Sequence, residues 1–274
     1  MKRDAKLKQT FNVAAVQMVT GISLAENLAT AGRLIAQAAS EGAHLVSLPE
    51  YFCLLGQKDT DKLAIAENDG SGPIQDFLAD ISSRHKIWLA AGSIPLKTQD
   101  PNRVFNTQLV FNPAGEQVVR YDKVHLFSFT RGEENYDESR AIAAGSEIKT
   151  FDCDFGRVGL SICYDLRFPE IYRAMGSVNL ILIPSAFTYT TGKAHWELLL
   201  RARAIENQAY VLAAAQGGTH QNGRRTWGHS MLIDPWGEIV AVLPEHEGVV
   251  SGTIDTQRLS DVRQSLPALK HRIF

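Results

Sequence analysis

Three residues of different chemistry stand where strand-like runs end. They are Glu50 in Val46-Ser47-Leu48-Pro49-Glu50, Lys123 in Tyr121-Asp122-Lys123, and Cys163 in Val158-Gly159-Leu160-Ser161-Ile162-Cys163. A thiol attacking a carbonyl or nitrile carbon must lose its proton, and the tetrahedral intermediate then needs positive charge or N–H donors at its oxygen. In that chemistry Glu50 takes the proton and passes it to the leaving amine. Lys123 is the electrostatic partner, and the backbone N–H of Tyr164, directly after the sulfur, is a second donor. The chain turns after Cys163 into Phe168-Pro169-Glu170, a helix start. A sulfur at the mouth of a sheet, near the positive end of a helix, is expected to be exposed and to favour its thiolate. Taken singly, each residue has an ordinary explanation: a buried small thiol, a helix-start carboxylate, a solvated strand end. His125, His195 and His229 stand near strand or helix ends and compete for the role of base.

These groups need a scaffold, and the rest of the chain reads as one. Asn12 to Gln17 is a short buried strand, and Ser23 caps a helix through Ala39 with Glu26 three residues on. His44 to Leu48 is the strand that delivers Glu50. Gly72-Pro73 opens a helix to about His85, and Ile87 to Ile94 returns as a strand. Asn112-Pro113-Ala114-Gly115 joins Val104–Phe111 to Gln117–Tyr121 as a hairpin. The second half repeats the pattern: strand Arg157–Ile162, helix Pro169–Met175, strand Val178–Ile183, helix Lys193–Asn207. Strands Tyr210–Gln216, Gly228–Ile233, Glu238–Leu243 and Val249–Ile254 follow, and Asp255 begins a terminal helix. Alternating strands and helices with added hairpins predict an α/β fold with a mixed sheet covered on both sides. Ser128 to Gly145 is polar, charged and without periodicity, and a loop of that length in a compact domain is usually functional.

The 274 residues carry a formal charge of −2, which gives no sign of a nucleic-acid or acidic-membrane partner. No apolar run is long enough to span a bilayer. Met1 to Thr10 is short, basic and polar, and is expected to be a loose tail, leaving 11–274 as a single domain. Cys53, Cys153 and Cys163 are odd in number and form no C-x-x-C or Cys/His cluster, which predicts neither a disulfide frame nor a zinc site. A reducing, cytoplasmic setting follows.

The motifs together resemble the nitrilase superfamily of carbon–nitrogen hydrolases. The resemblance runs from Phe11 to Arg272 and rests on Val46 to Glu50, Tyr121 to Phe127 and Gly159 to Asp165. It implies a four-layer αββα sandwich with two mixed β-sheets and a Glu-Lys-Cys triad. Glu50 is then the general base, Lys123 the oxyanion-stabilising cation and Cys163 the acylated nucleophile. It implies as well that Glu138, in Asp137-Glu138-Ser139, orients Lys123 and substrate. Within the superfamily the chain is similar to amidases of α-keto acid amides, the deaminated-glutathione amidases and ω-amidases. The stretches Cys163 to Glu170, Pro184 to Phe187, Thr191 to Leu199, Arg201 to Gln208 and Gly228 to Met231 carry that likeness. Ala214 to His220, with Arg224 and Arg225 after it, leans to the first of the two, whose substrate bears a carboxylate at each end.

On this reading Arg167 grips the keto-acid carboxylate through its bidentate guanidinium, the alternative being an ion pair with Glu170. Phe187 and Thr191 line the pocket. His195 and Trp196 fix a helix end and pack core, and His229 is structural. Ser128 stands where these amidases commonly have an aspartate. The partner is a small-molecule substrate with no metal or organic cofactor, and the resemblance implies a homodimer or larger homo-oligomer. Competing readings are a carbamoylase or nitrilase with the same triad, a non-catalytic scaffold, and a redox thiol protein pairing Cys163 with Cys153.

Overall fold

The computed structural model describes residues 9–132 and 134–273. The first sheet runs in the order Gly248–Asp255, Thr10–Gln17, Leu45–Ser47, Trp88–Ala90, Val104–Phe111, Ile94–Lys97, with Gln117–Asp122 and Ile142–Ala143 also pairing with Val104–Phe111. The second runs Thr150–Cys153, Gly156–Leu160, Leu180–Leu182, Tyr210–Ala213, Ser230–Ile233, Ile239–Leu243. Each has a parallel centre with antiparallel strands outside it. Both sheets are therefore mixed.

Side-chain alternation explains how the sheets stack. On Thr10–Gln17, Phe11, Val13 and Ala15 join the core shared with Val158, Leu160, Leu180 and Leu182 of the second sheet. Ala14 and Val16 point the other way, to Leu34, Ile35 and Leu78 of helices Leu24–Ser40 and Pro73–His85. Helices Pro169–Ala174 and Tyr189–Asn207 bring Tyr172, Trp196 and Leu200 to the second sheet. The result is the expected αββα sandwich. The parallel centres matter most, because strands running one way release their loops at one end. Glu50 follows Leu45–Ser47, Cys163 follows Gly156–Leu160, and Ala186 follows Leu180–Leu182.

Several boundaries differ from expectation for physical reasons. Ile87 to Ile94 is broken into Trp88–Ala90 and Ile94–Lys97. Gly92 sits at φ +59 in the break, and a Cβ there would lie 2.0 Å from the Pro49 carbonyl oxygen. The close approach that glycine permits lets Ser93 Oγ accept from the Tyr51 N–H at 3.0 Å, bracing the turn around Glu50. The long helix starts at Tyr189 rather than Lys193, with the Thr188 hydroxyl accepting from the Thr191 N–H. Tyr210–Ala213 stops short of Gln216, whose side chain turns to the site instead. Ser128 to Gly145 contains a hairpin, Ser128–Arg131 with Glu134–Asp137, then a 3₁₀ turn Glu138–Arg140 and strand Ile142–Ala143. Thr10, assigned to the tail, already pairs in the first sheet, and residues 1–8 lie outside the described residues.

Candidate active site

Lys123 is the hub of the site. Its backbone N–H donates to the Asn106 carbonyl at 2.9 Å, and its Nζ donates to Glu50 Oε1 at 2.8 Å and to Glu138 Oε1 and Oε2 at 3.0 and 2.8 Å. The side chain is 0 % exposed and that of Glu50 is 1 % exposed, so water screens little of the Lys123–Glu50 pair. Glu50 is fixed further by the Asn106 amide, 2.9 Å from Oε1, and the Ala186 backbone N–H, 2.9 Å from Oε2. Glu138 also accepts from the Tyr51 hydroxyl at 2.7 Å and the Phe127 N–H at 2.8 Å. Gln216 closes the arrangement from behind, donating to the Glu50 carbonyl at 3.0 Å and to Thr20 at 2.6 Å.

The two carboxylates are driven apart in acidity. Burial holds Glu50 above the ordinary carboxylate range, although Lys123 pulls it back. Burial acts on Glu138 too, but the Lys123 ammonium and the added donors outweigh it and hold that carboxyl low. Burial would deprotonate Lys123, yet Glu138 and Glu50 override it and keep the ammonium charged well above its usual range. A pair of acids pushed in opposite directions marks a division of labour: a fixed anion and a group that exchanges a proton.

Cys163 comes to this group from the second sheet. It adopts φ +48, unusual outside glycine, and its N–H donates to the Pro184 carbonyl at 2.9 Å. The sharp turn is held by buried Asp165, whose Oδ2 accepts from Ile162 N–H at 2.8 Å and Tyr121 hydroxyl at 2.6 Å. Its Oδ1 accepts from the His125 N–H at 3.1 Å and meets His125 Nδ1 at 2.8 Å. His125 is thereby committed to the turn, stacked on Phe168 at 3.8 Å. The expected exposed thiolate is corrected. Cys163 is 7 % exposed, and burial, followed by the Glu50 charge, raises its thiol well above the usual range. The Lys123 ammonium acts against that rise. Desolvation outweighs the neighbouring turn, which is a 3₁₀ segment, Cys163–Arg167, rather than a long helix.

A cleft of about 800 Å³, counting its open mouth, leads to these groups. Tyr164, Arg167, Phe187 and Thr191 all line it. Arg167 makes no pair with Glu170. Its Nη1 meets His195 Nδ1 at 3.2 Å, and its guanidinium lies over the rings of Phe187 and Tyr164, 5.3 and 5.8 Å from their centres. His195 is therefore exposed in mid-helix beside Arg167, not a helix-end support. Trp196 is core, with its indole N–H donating to the His229 carbonyl at 2.9 Å. His229 is stacked on Trp227 and bonded to the Trp227 carbonyl, a structural role. No metal-ligand cluster occurs among the described residues.

Residues 12–264 match the family described as Carbon-nitrogen hydrolase. The chain belongs to that family. It is 43 % identical over 267 residues to a protein of Synechocystis named Deaminated glutathione amidase, covering 95 % of this chain and 97 % of the relative. It is 36 % identical to human Omega-amidase NIT2, with 96 and 95 % covered. The crystal structure of Saccharomyces cerevisiae Nit3, of the nitrilase superfamily, superposes with a TM-score of 0.88 at 32 % identity, with 98 % of both chains covered. The chain is thus a hydrolase of carbon–nitrogen bonds. Sequence reading missed Tyr51, Lys62 and Asp165 in the site. Tyr51 directly follows Glu50 at a left-handed turn, and the turn was the available signal. Lys62 sits in a short polar stretch with no periodicity to mark it. No described helix is long and apolar enough to cross a membrane.

Proposed function

We propose that this hydrolase cleaves a linear amide of an α-keto acid through a thioester on Cys163. Glu50 accepts the thiol proton as sulfur attacks the amide carbon. The developing oxyanion is met by the Lys123 ammonium and the Tyr164 backbone N–H. A donor of this kind is worth about 3 kcal/mol, roughly a hundredfold in rate. Glu50 then protonates the departing amine, and deprotonates the water that cleaves the thioester. Glu138 stays ionised, keeping Lys123 charged and aimed. Arg167 holds the keto-acid carboxylate beside Phe187 and Thr191.

The observation that carries this reading is Lys123 Nζ within 3.0 Å of both carboxylates, with Glu50, Glu138 and Cys163 lining the same cleft. Since Glu50 and Lys123 come from one sheet and Cys163 from the other, residues 11–274 act as one catalytic domain. The names of the relatives support deaminated glutathione as substrate, giving 2-oxoglutarate and cysteinylglycine, with 2-oxoglutaramate as the alternative. Turnover of the two compounds side by side tests the choice. Clear preference for deaminated glutathione is expected, and comparable low rates on both reject it. A cytoplasmic homo-oligomer completes the reading, on the family resemblance and the unpaired Cys53, Cys153 and Cys163. Sedimentation reads the assembly.

A further inference from the structure

The cations lining the cleft are Lys62, Arg167, Arg224 and Arg225, and they differ in what already neutralises them. Arg224 donates to Asp59 at 2.7 Å and lies over the Tyr136 ring. Arg225 donates to Glu245 at 3.3 Å and lies 3.8 Å from the Tyr189 ring centre. Both guanidiniums, which the sequence suggested for substrate, are occupied by the chain itself. Among the described residues Lys62 and Arg167 have no carboxylate within ion-pair distance.

Lys62 lies on the short helix Asp61–Ala64 and is half-buried. Its Nζ stands 4.6 Å from the centre of the Tyr51 ring, and that tyrosine's hydroxyl is already donated to Glu138. The contact is a cation–π interaction, and among the described residues no acceptor is hydrogen-bonded to the ammonium. Burial lowers the pKa of Lys62, with Glu138 and Asp59 acting against it. A partly desolvated ammonium facing a cleft gains most from a ligand that supplies one negative charge and hydrogen-bond acceptors. The neighbouring Glu138 and Asp59 disfavour a doubly charged group such as a phosphate monoester, which leaves a carboxylate. Arg167 has a separate set of neighbours, Tyr164, Phe187 and His195, so the cleft holds two anion-seeking groups in different surroundings.

We propose that Lys62 receives a second substrate carboxylate, carried on the leaving-amine side, so that the cleft selects amides charged at both ends. This rests on Cys163 and Arg167 acting as described above. Lys62 is then a specificity-determining residue. The competing role is a counter-charge for Glu138, which would affect all substrates alike.

The test compares deaminated glutathione with its C-terminal amide, which lacks the glycine carboxylate. Wild-type kcat/KM is expected to favour the free acid by about tenfold or more, through KM, the value of one charge-assisted contact. In Lys62→Met that ratio falls to near one, and Lys62→Arg restores most of it. A ratio unchanged in Lys62→Met, including an equal fall for both compounds, overturns the proposal. Calorimetry on Cys163→Ala, with and without Lys62→Met, reads the same preference without turnover. Should neither compound be cleaved by wild type, the amidase reading fails while binding still decides Lys62. Weakening of the free acid alone supports it; equal effects, or no binding of either, overturn it.

Discussion

Lys123→Met is the most informative perturbation, because one atom serves both fold and chemistry. The ammonium is fully buried and bonded to Glu50 and Glu138, so its removal leaves two largely buried carboxylates without their counter-charge. Breaking a buried pair by deleting one partner typically costs about 3–5 kcal/mol. The signs of the shifts predict how this depends on pH. Glu138 is held below its ordinary 4.5 and Lys123 above its ordinary 10.5. The stabilisation from Glu138 is therefore present above 4.5 and lost as pH falls through the lower folded value. That from Lys123 is present below 10.5 and lost only above its raised folded value. Both are complete between pH 5 and 8 in the wild type.

Without the ammonium, burial raises both carboxyls, so they are better tolerated protonated at pH 5 than ionised at pH 8. Denaturant unfolding of Lys123→Met is expected to show a loss of about 3–5 kcal/mol at pH 8 and a smaller one at pH 5. The rate should fall at least roughly a hundredfold at either pH. An equal loss of stability at both pH values, or none, would refute the electrostatic reasoning.

Other perturbations probe separate links. Because Glu50 must be ionised to act and burial raises its pKa, the acid limb of kcat/KM should lie above 4.5 and shift or vanish in Glu50→Gln; a limb at or below 4.5 counts against Glu50 as base. Asp165→Ala removes the acceptor for Ile162, Tyr121 and His125, so unfolding should show a loss of about 3 kcal/mol with a matching fall in kcat; full activity would show that the Cys163 turn holds without it. Gly92→Ala forces a Cβ to within 2.0 Å of the Pro49 oxygen at φ +59, and should cost more than about 2 kcal/mol and misplace Glu50. Wild-type melting and kcat in that variant would show that the close approach relaxes freely.

The catalytic candidates were readable because each closes a strand, and strand ends are what apolar runs and turn residues mark best. The alternation of strands and helices was readable for the same reason, whereas the four layers came from the family resemblance. Groups that act through distant partners left no such trace. Tyr51 reaches Glu138 across 87 positions of sequence, and Asp165 reaches Tyr121 across 44. The apolar run Ile87 to Ile94 hides its break, since its bend is imposed by the Pro49 backbone against Gly92 rather than by local preference. The segment after Ser128 looked structureless because its hairpin presents no face to the core, being half-buried or exposed throughout its described residues. The thiolate expectation failed because position alone sets the turn's field, whereas burial sets the cost of charge.

The central claim is covalent chemistry on one sulfur, and a rapid acid quench of wild-type enzyme with deaminated glutathione, read by intact mass and peptide mapping, tests it most directly. A mass gain equal to the 2-oxoglutaryl acyl group, mapped to Cys163 and absent from Cys163→Ala, is the predicted result. Continued turnover by Cys163→Ala, or an adduct on Cys53 or Cys153 instead, would contradict it.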